Sequence, residues 1–158
     1  MIFVTLGSQK FQFNRLLIEL DRLVNLGIIK DEIFAQIGYS DYTPMHYKFS
    51  KFLDRDQFLT YVKSADLVIT HGGTGAIVGA LKHGKKVIAV PRLSEYGEHV
   101  DNHQLQIIEQ FQQQNFIYPC NKIEDIQEAI VKVGEVEFDV YHSNTDKIIK
   151  SIGKYIGK

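Results

Sequence analysis

The sequence predicts an α/β fold in which helices cover both faces of a parallel sheet of about six strands. Short apolar runs alternate along the chain with longer amphipathic runs, which is the pattern of repeated strand–helix–strand units. Several of these runs end at a glycine. The length of 158 residues suits one domain, and neither a linker nor a repeat divides it. We therefore expect a single Rossmann-like domain over residues 1–158.

The predicted strands are short runs of β-branched, aromatic and other apolar residues, and they cover residues 2–6, 33–37, 47–53, 67–70, 87–90 and 116–118. The predicted helices have apolar side chains at helical spacing, and they cover residues 16–24, 54–63, 74–83, 99–113, 123–133 and 145–156. Asp54 and Asp56 are the capping candidates of the second helix, and Gly84 ends the third.

The loops at the carboxyl ends of the strands are where we expect chemistry, since parallel α/β sheets bind ligands there, near a switch in strand order. They follow Leu6, Leu53, Thr70 and Val90. The net charge of −1 gives no reason to expect nucleic acid binding. No apolar stretch approaches the ~20 residues that span a bilayer. A single cysteine, Cys120, excludes an internal disulfide and fits a reducing cytoplasm.

The segment 71–76, His-Gly-Gly-Thr-Gly-Ala, is the strongest local motif. It follows an apolar strand and opens a helix, whose N-terminal N–H groups and partial positive charge favour a diphosphate. The alternative is a tight strand–helix turn without a ligand. A dinucleotide fingerprint is disfavoured, because the loop follows the fourth strand and Pro91-Arg92, not an acidic residue, ends the next one.

A second polar cluster follows the fifth strand and comprises Arg92, Glu98, His99, Asn102 and Gln104. Carboxylate, amide and imidazole groups together suit the many hydroxyls of a sugar. The alternative is a solvated helix start in which Glu98 only favours the helix dipole.

Metal binding is the less favoured interpretation of two further patterns. His99 and His103 are four residues apart, as on a metal-binding helix face, but no third ligand is identifiable except His71. The Asp-x-Asp segment 54–56 lies where helix caps belong. We expect neither a metal nor any other cofactor.

The C-terminal segment 145–158, which contains the last predicted helix, carries four lysines beside an isoleucine-rich surface. It packs on its own domain in the simplest interpretation. The alternatives are contact with a partner subunit or with an anionic membrane surface.

The string VITHGGTGAIVGALKHGKKVIAVPR over 68–92, followed by GEHVDNHQ over 97–104, resembles the glycosyltransferase family 28 C-terminal domain, the donor-binding half of GT-B enzymes. The likeness runs from Met1 to about Val133. It is greatest to stand-alone subunits of capsule and exopolysaccharide glycosyltransferases, and extends to the catalytic subunit of the dolichol-pathway UDP-GlcNAc transferase.

The resemblance implies a role for each matching segment. Gly7, Ser8 and Gln9 face the donor phosphate, and Phe52 and Leu53 meet the uracil. The diphosphate is held by His71, Gly72, Gly73, Thr74 and Gly75. Glu98, His99 and Asn102 contact the sugar, and Gln104 ends the narrower family's motif. Gly79 stands where many relatives carry a glutamate that binds the ribose, so the ribose contact must come from elsewhere.

The implied activity is inverting transfer of a hexose from a UDP-sugar to a polyprenyl-linked acceptor. Because Met1 already begins the donor half, we expect a membrane-associated partner subunit to bind the acceptor and supply the general base. His71 and His99 are the fallback bases on this chain. The subunit would be cytoplasmic and peripheral at the inner face of the membrane.

Three rival functions remain. Gly79 favours a non-catalytic enhancer of a transferase. An NADP-binding oxidoreductase would use Arg92 on the 2′-phosphate, but a Tyr-x-x-x-Lys catalytic pair is lacking. A nucleotide-binding regulatory domain is the third.

Overall fold

The structure is a computed structural model that describes residues 1–142. Its sheet has six parallel strands in the order β3-β2-β1-β4-β5-β6, which confirms the predicted fold class. The strands are β1 (Ile2–Thr5), β2 (Ile33–Gln36), β3 (Lys48–Ser50), β4 (Leu67–His71), β5 (Lys86–Val90) and β6 (Tyr118–Pro119). The helices are α1 (Asn14–Asn25), α2 (Arg55–Ser64), α3 (Thr74–Leu81), α4 (His103–Gln113) and α5 (Ile126–Val133).

Two hydrophobic cores lie on opposite faces of the sheet. Alternate strand residues point to opposite faces, so Val4 joins one core and its neighbour Phe3 the other. Helices α1 and α5 cover the Val4 face, and α2, α3 and α4 cover the Phe3 face. This two-sided burial explains why the central strands are apolar throughout, with no alternation of polar residues.

A switch in strand order lies between β1 and β4. From β1 the chain adds β2 and β3 towards one edge, and from β4 it adds β5 and β6 towards the other. Thr5 is the register partner of Thr70, whose buried hydroxyl donates to the Thr5 carbonyl at 3.0 Å. The loops after β1 and β4 therefore leave the sheet from adjacent points, the place at which parallel α/β sheets form their ligand-binding crevice.

Several predicted boundaries differ from the observed ones. The strand predicted over 47–53 is shortened to Lys48–Ser50. The helix predicted to begin at residue 99 begins at His103, and its N-cap residue Asn102 accepts a hydrogen bond from the Ser94 N–H. The capping prediction for α2 is confirmed at Asp54, which forms a reciprocal capping box with Gln57. The helix predicted over 145–156 lies outside the described residues.

Within residues 1–142, no helix combines the length and the low polarity that a bilayer crossing demands.

Asp21 of α1 stabilises the loop between β2 and β3 through hydrogen bonds. Its buried carboxylate accepts hydrogen bonds from the Tyr42 hydroxyl, the Met45 N–H at 2.9 Å and the His46 N–H at 2.8 Å. Burial alone would raise the pKa of Asp21, but these hydrogen bonds outweigh it and lower the pKa below its ordinary value of 3.8. The ionised carboxylate therefore stabilises the fold.

We expect Asp21→Asn to be destabilised at pH 7 and to lose part of the acid sensitivity of the wild-type chain. Because the folded-state pKa lies below the unfolded one, the contribution of Asp21 is complete above the unfolded pKa and disappears as pH falls through the folded one. Urea unfolding at several pH values measures this. The stability gap between the two proteins should narrow between about pH 5 and pH 2, and a constant gap would contradict the role of the charge.

Candidate functional site

The imidazole of His71 lies between the two loops that border the crevice. A Cβ atom placed on Gly7 would lie 2.7 Å from the ring Nε2 atom, and one on Gly73 would lie 2.2 Å from Cε1. Gly7 also has a φ of +71°, which residues other than glycine rarely adopt. These two glycines therefore make room for the histidine ring at the end of β4.

Gln104, the second residue of α4, ties the loops after β4 and β5 together. Its side-chain oxygen accepts from the Gly72 N–H at 3.0 Å and from the Arg92 N–H at 2.9 Å. Its side-chain nitrogen lies 3.1 Å from Nδ1 of His71. A Cβ on Gly72 would approach the Gln104 Cβ to 2.7 Å. Glycine is therefore needed at position 72 also because a side chain there would collide with Gln104. The sequence motif did not indicate this second reason.

The N-terminus of α3 opens beside His71. Gly73 is the N-cap residue and has no side chain to cap the helix, so the first N–H groups lack intrahelical partners. Around Gly75 a Cβ would meet nothing within 4 Å. The buried hydroxyl of Thr74 has no hydrogen-bond partner among residues 1–142 and can donate, whereas the equally unpartnered Oε1 of Gln9 can only accept. Unpaired donors, open space and a helix dipole together suit an anion.

Glu98 and Arg92 form most of their polar contacts within the protein. The Glu98 carboxylate is fully buried and accepts from Arg15 Nε at 2.9 Å, Arg15 Nη2 at 3.0 Å and the Leu93 N–H at 3.1 Å. Arg92 is 1% exposed and donates to backbone carbonyls that include those of Phe11 and Leu6. Most polar atoms of both side chains therefore bind the protein itself, although Arg92 Nε has no hydrogen-bond partner among residues 1–142, and contact of either residue with the donor stays a prediction.

This Arg15–Glu98–Arg92 cluster carries two positive charges and one negative charge. Burial lowers the pKa of Arg92 to about 10, and the nearby Glu98 charge opposes that shift. The cluster joins α1 and the loop after β1 to the loop after β5, so it fixes the position of the loop that borders one side of the crevice. Sequence reasoning missed Arg15, whose spacing from Glu98 reveals nothing until the sheet is assembled.

His99 and His103 both turn towards Asp101. The Asp101 carboxylate lies 3.1 Å from His99 Nδ1 and 3.4 Å from His103 Nδ1. The backbone hydrogen bond from His103 lowers the pKa of Asp101, and both imidazoles add to that effect while burial opposes it. The His99 ring also lies 5.5 Å from the Phe11 ring, beside the loop after β1. The two histidines, four residues apart, thus contact the same carboxylate.

The remaining predicted residues lie at the edges of this region. Phe52 is 45% exposed and pairs edge-to-face with Tyr39 at 5.2 Å, an aromatic partner that sequence reasoning missed. Leu53 packs against the core on the α2 side. Asn102 accepts from the Ser94 N–H at 2.8 Å and so supports the loop before α4. The exposed Phe52–Tyr39 pair offers an apolar surface at the ends of β2 and β3.

The sequence profile of the glycosyltransferase family 28 C-terminal domain matches residues 1–151. The chain belongs to this family. Its fold is accordingly the C-terminal half of a GT-B fold, as predicted from the glycine loop and the polar cluster after the fifth strand. The family 28 match extends beyond the resemblance over residues 1–133 and beyond the described residues.

Known proteins resemble this family 28 domain in sequence and in fold. A Kluyveromyces lactis UDP-N-acetylglucosamine transferase subunit, ALG13, is 26% identical over 138 residues, which cover 84% of this chain and 62% of that protein. The solution structure of an ALG13 superimposes with a TM-score of 0.61 at 18% identity, over 94% of this chain and 93% of the other. MurG from Acinetobacter baumannii superimposes with a TM-score of 0.54 at 17% identity, over 97% of this chain and 49% of MurG. The chain therefore spans less than two thirds of the Kluyveromyces protein.

Proposed function

We propose that this chain holds the UDP-sugar donor of an inverting glycosyltransferase. The observation that carries the proposal is the crevice at the β1–β4 switch, where His71 and the open N-terminus of α3 lie behind two glycine loops. Membership of family 28 supports the same reaction class. Together they favour a transferase over the NADP-binding and purely regulatory alternatives.

The diphosphate would lie at the start of α3, against the backbone of residues 72–75. The unpaired N–H groups and Thr74 Oγ1 provide donors for its oxygens. The uracil would lie against Phe52 and Tyr39, because an exposed aromatic pair suits a planar base. The sugar would face His99, whose ring lies beside the loop after β1. Gly79 offers no ribose contact.

In the reaction, an acceptor hydroxyl attacks the anomeric carbon as the bond from that carbon to the UDP oxygen breaks. Negative charge then grows on the departing diphosphate. Fixed N–H groups at the α3 N-terminus would stabilise that charge without rearranging, which lowers the barrier. No metal is required in this scheme, since the helix dipole and backbone donors neutralise the leaving group.

The proton of the acceptor hydroxyl needs a base. We assign the role of this base to a residue of the partner subunit, with His99 as the alternative on this chain. Asp101 presents two groups to the His99 Nδ1 atom, a carboxylate oxygen at 3.1 Å and a backbone N–H donor at 3.4 Å. With the proton on Nδ1 towards the closer carboxylate, Nε2 would be the proton acceptor and His99 would serve as the base.

A membrane-associated partner subunit would bind a polyprenyl-linked acceptor, and this chain would lie at the cytoplasmic face of the membrane. The ALG13 relatives are subunits of a UDP-N-acetylglucosamine transferase, which supports a heteromeric enzyme here. The likeness to capsule and exopolysaccharide subunits favours that pathway and transfer of a hexose. Full turnover by the isolated chain on a polyprenyl-linked acceptor would contradict the partner requirement.

Saturation-transfer NMR of the purified chain with UDP, UDP-hexoses, ADP and NADP tests the donor site, because it detects the weak binding expected of half an enzyme. We expect signals from UDP and UDP-hexoses that exceed those of ADP and NADP. NADP binding without UDP binding would overturn the proposal. If the chain and its complex with the partner both fail to bind UDP while the complex transfers sugar, the enhancer role suggested by Gly79 holds instead.

A further inference from the structure

The orientation of the Gln104 side-chain amide is determined by its two backbone partners. Both the Gly72 N–H and the Arg92 N–H point at the same side-chain atom, at 3.0 and 2.9 Å. An amide NH₂ group has no lone pair with which to accept them, so that atom is the oxygen. The nitrogen must then lie on the other side, which is where His71 is found.

This orientation assigns a direction to the contact with His71. The Gln104 NH₂ group is a donor only, so at 3.1 Å the Nδ1 atom of His71 must accept. A ring nitrogen that accepts a hydrogen bond carries no proton. In the neutral imidazole the single proton therefore resides on Nε2.

We propose that Gln104 is a positioning residue that locks His71 as the Nε2–H tautomer, so that His71 acts at the crevice as a hydrogen-bond donor and not as a base. The tautomer rests on the geometry alone, and only the donor role rests on the proposed function. Gln104 is 3% exposed and His71 is 5% exposed, so water does not compete freely for either group.

The Nε2 side of the ring faces the two glycine loops. Cβ atoms on Gly7 and Gly73 would lie 2.7 and 2.8 Å from Nε2, closer than such atoms ever approach. A lone pair at Nε2 would repel a phosphate oxygen in the crevice, whereas an N–H group attracts it. With this assignment His71 is no longer a candidate for the general base. It also explains why a glutamine side chain, which can both accept and donate, suits position 104.

The decisive variant is Gln104→Glu. A carboxylate keeps the acceptors for Gly72 and Arg92 but can only accept from His71, so the ring must place a proton on Nδ1. Gln110→Glu is the matched control, because it makes the same change at an exposed position of the same helix. Gln104→Met removes all three hydrogen bonds at similar volume and reports the structural cost of losing them.

The measurement is long-range ¹H–¹⁵N NMR of the full chain labelled at histidine, with the His71 signals assigned from a His71→Gln variant. We expect a protonated Nε2 and an unprotonated Nδ1 in the wild-type chain and in Gln110→Glu, and a protonated Nδ1 in folded Gln104→Glu. A wild-type ring protonated at Nδ1 alone would overturn the proposal, as would a Gln104→Glu ring with Nδ1 still unprotonated.

UDP titration supplies the second readout. Where the Gln104→Glu ring is neutral and carries its proton on Nδ1, UDP should bind roughly ten- to a hundredfold more weakly, the effect of losing one hydrogen bond to a charged group. Unchanged UDP affinity with a shifted proton would overturn the donor role of His71. The wild-type chain could instead show the Nε2–H tautomer but fail to bind UDP. That result would count against the proposed function, whereas the control of the His71 tautomer by Gln104 would still hold.

Discussion

The Gly73→Ala variant should bind UDP roughly a hundredfold more weakly than the wild-type chain, the loss that a misplacement of about 1 Å produces at a preorganised site. The added methyl carbon would lie 2.2 Å from Cε1 of His71 and 2.8 Å from Nε2. Gly73 has φ −82° and ψ 130°, which alanine adopts without strain. The effect must therefore come from the ring, which has to leave its place between the glycine loops.

Gly79→Ala is the matched control for this prediction. Gly79 lies in the same helix, where a Cβ would meet nothing within 4 Å. Alanine should leave UDP binding unchanged and raise stability by roughly 0.5–1 kcal/mol, because glycine is a poor helix former. Isothermal titration of both variants with UDP, beside their thermal unfolding, separates loss of the site from loss of the fold. Wild-type affinity in Gly73→Ala would place the UDP elsewhere.

Glu98→Gln should destabilise the fold by about 3–5 kcal/mol, the cost of breaking a buried ion pair by removing one partner. The amide oxygen can still accept from the Leu93 N–H, but the amide NH₂ group would face the Arg15 guanidinium. Two donors then oppose each other beside the buried Arg92, at a place where the Arg15 side chain is only 18% exposed. The loops after β1 and β5 would lose their shared charge cluster.

Glu19→Gln makes the same chemical change at a surface pair. Arg22, its partner at 2.7 Å, is 54% exposed, so the loss should stay below about 1 kcal/mol. Urea unfolding of both variants gives the comparison. If Glu98→Gln unfolded at the wild-type urea concentration, the cluster would contribute nothing to stability, and Glu98 would again be a candidate for contact with the sugar.

Local patterns in the sequence predicted most of the architecture. Strand–helix alternation indicated the parallel sheet, and Asp54 indicated the start of α2. The glycine loop after the fourth strand was predicted to open a helix, and α3 does begin at Thr74. These predictions succeeded because they depend on periodicity and capping, which neighbours in sequence determine. Edge elements such as β3 were less accurate, because pairing with β2 determines their length.

Roles of individual side chains depended on contacts that no local pattern contains. Glu98 was predicted to contact a sugar, yet Arg15, 83 positions earlier in the chain, takes its carboxylate. Gly72 and Gly73 were predicted to admit a ligand, yet each also makes room for a side chain of the protein. Residue type indicated what each group can bond with, but not which partner would be near.

By itself, the sequence determined the fold class, the family and the loops that border the crevice, because hydrogen-bonding periods and turn residues are local properties of the chain. The tertiary structure decided which polar groups remain available at that crevice. Strand order brings the loops after β1, β4 and β5 together, and only there do Gln104, Arg92 and Glu98 find their partners. A buried polar group must be satisfied by whatever the fold places beside it, and that requirement separates the positioning residues from those that can meet a donor.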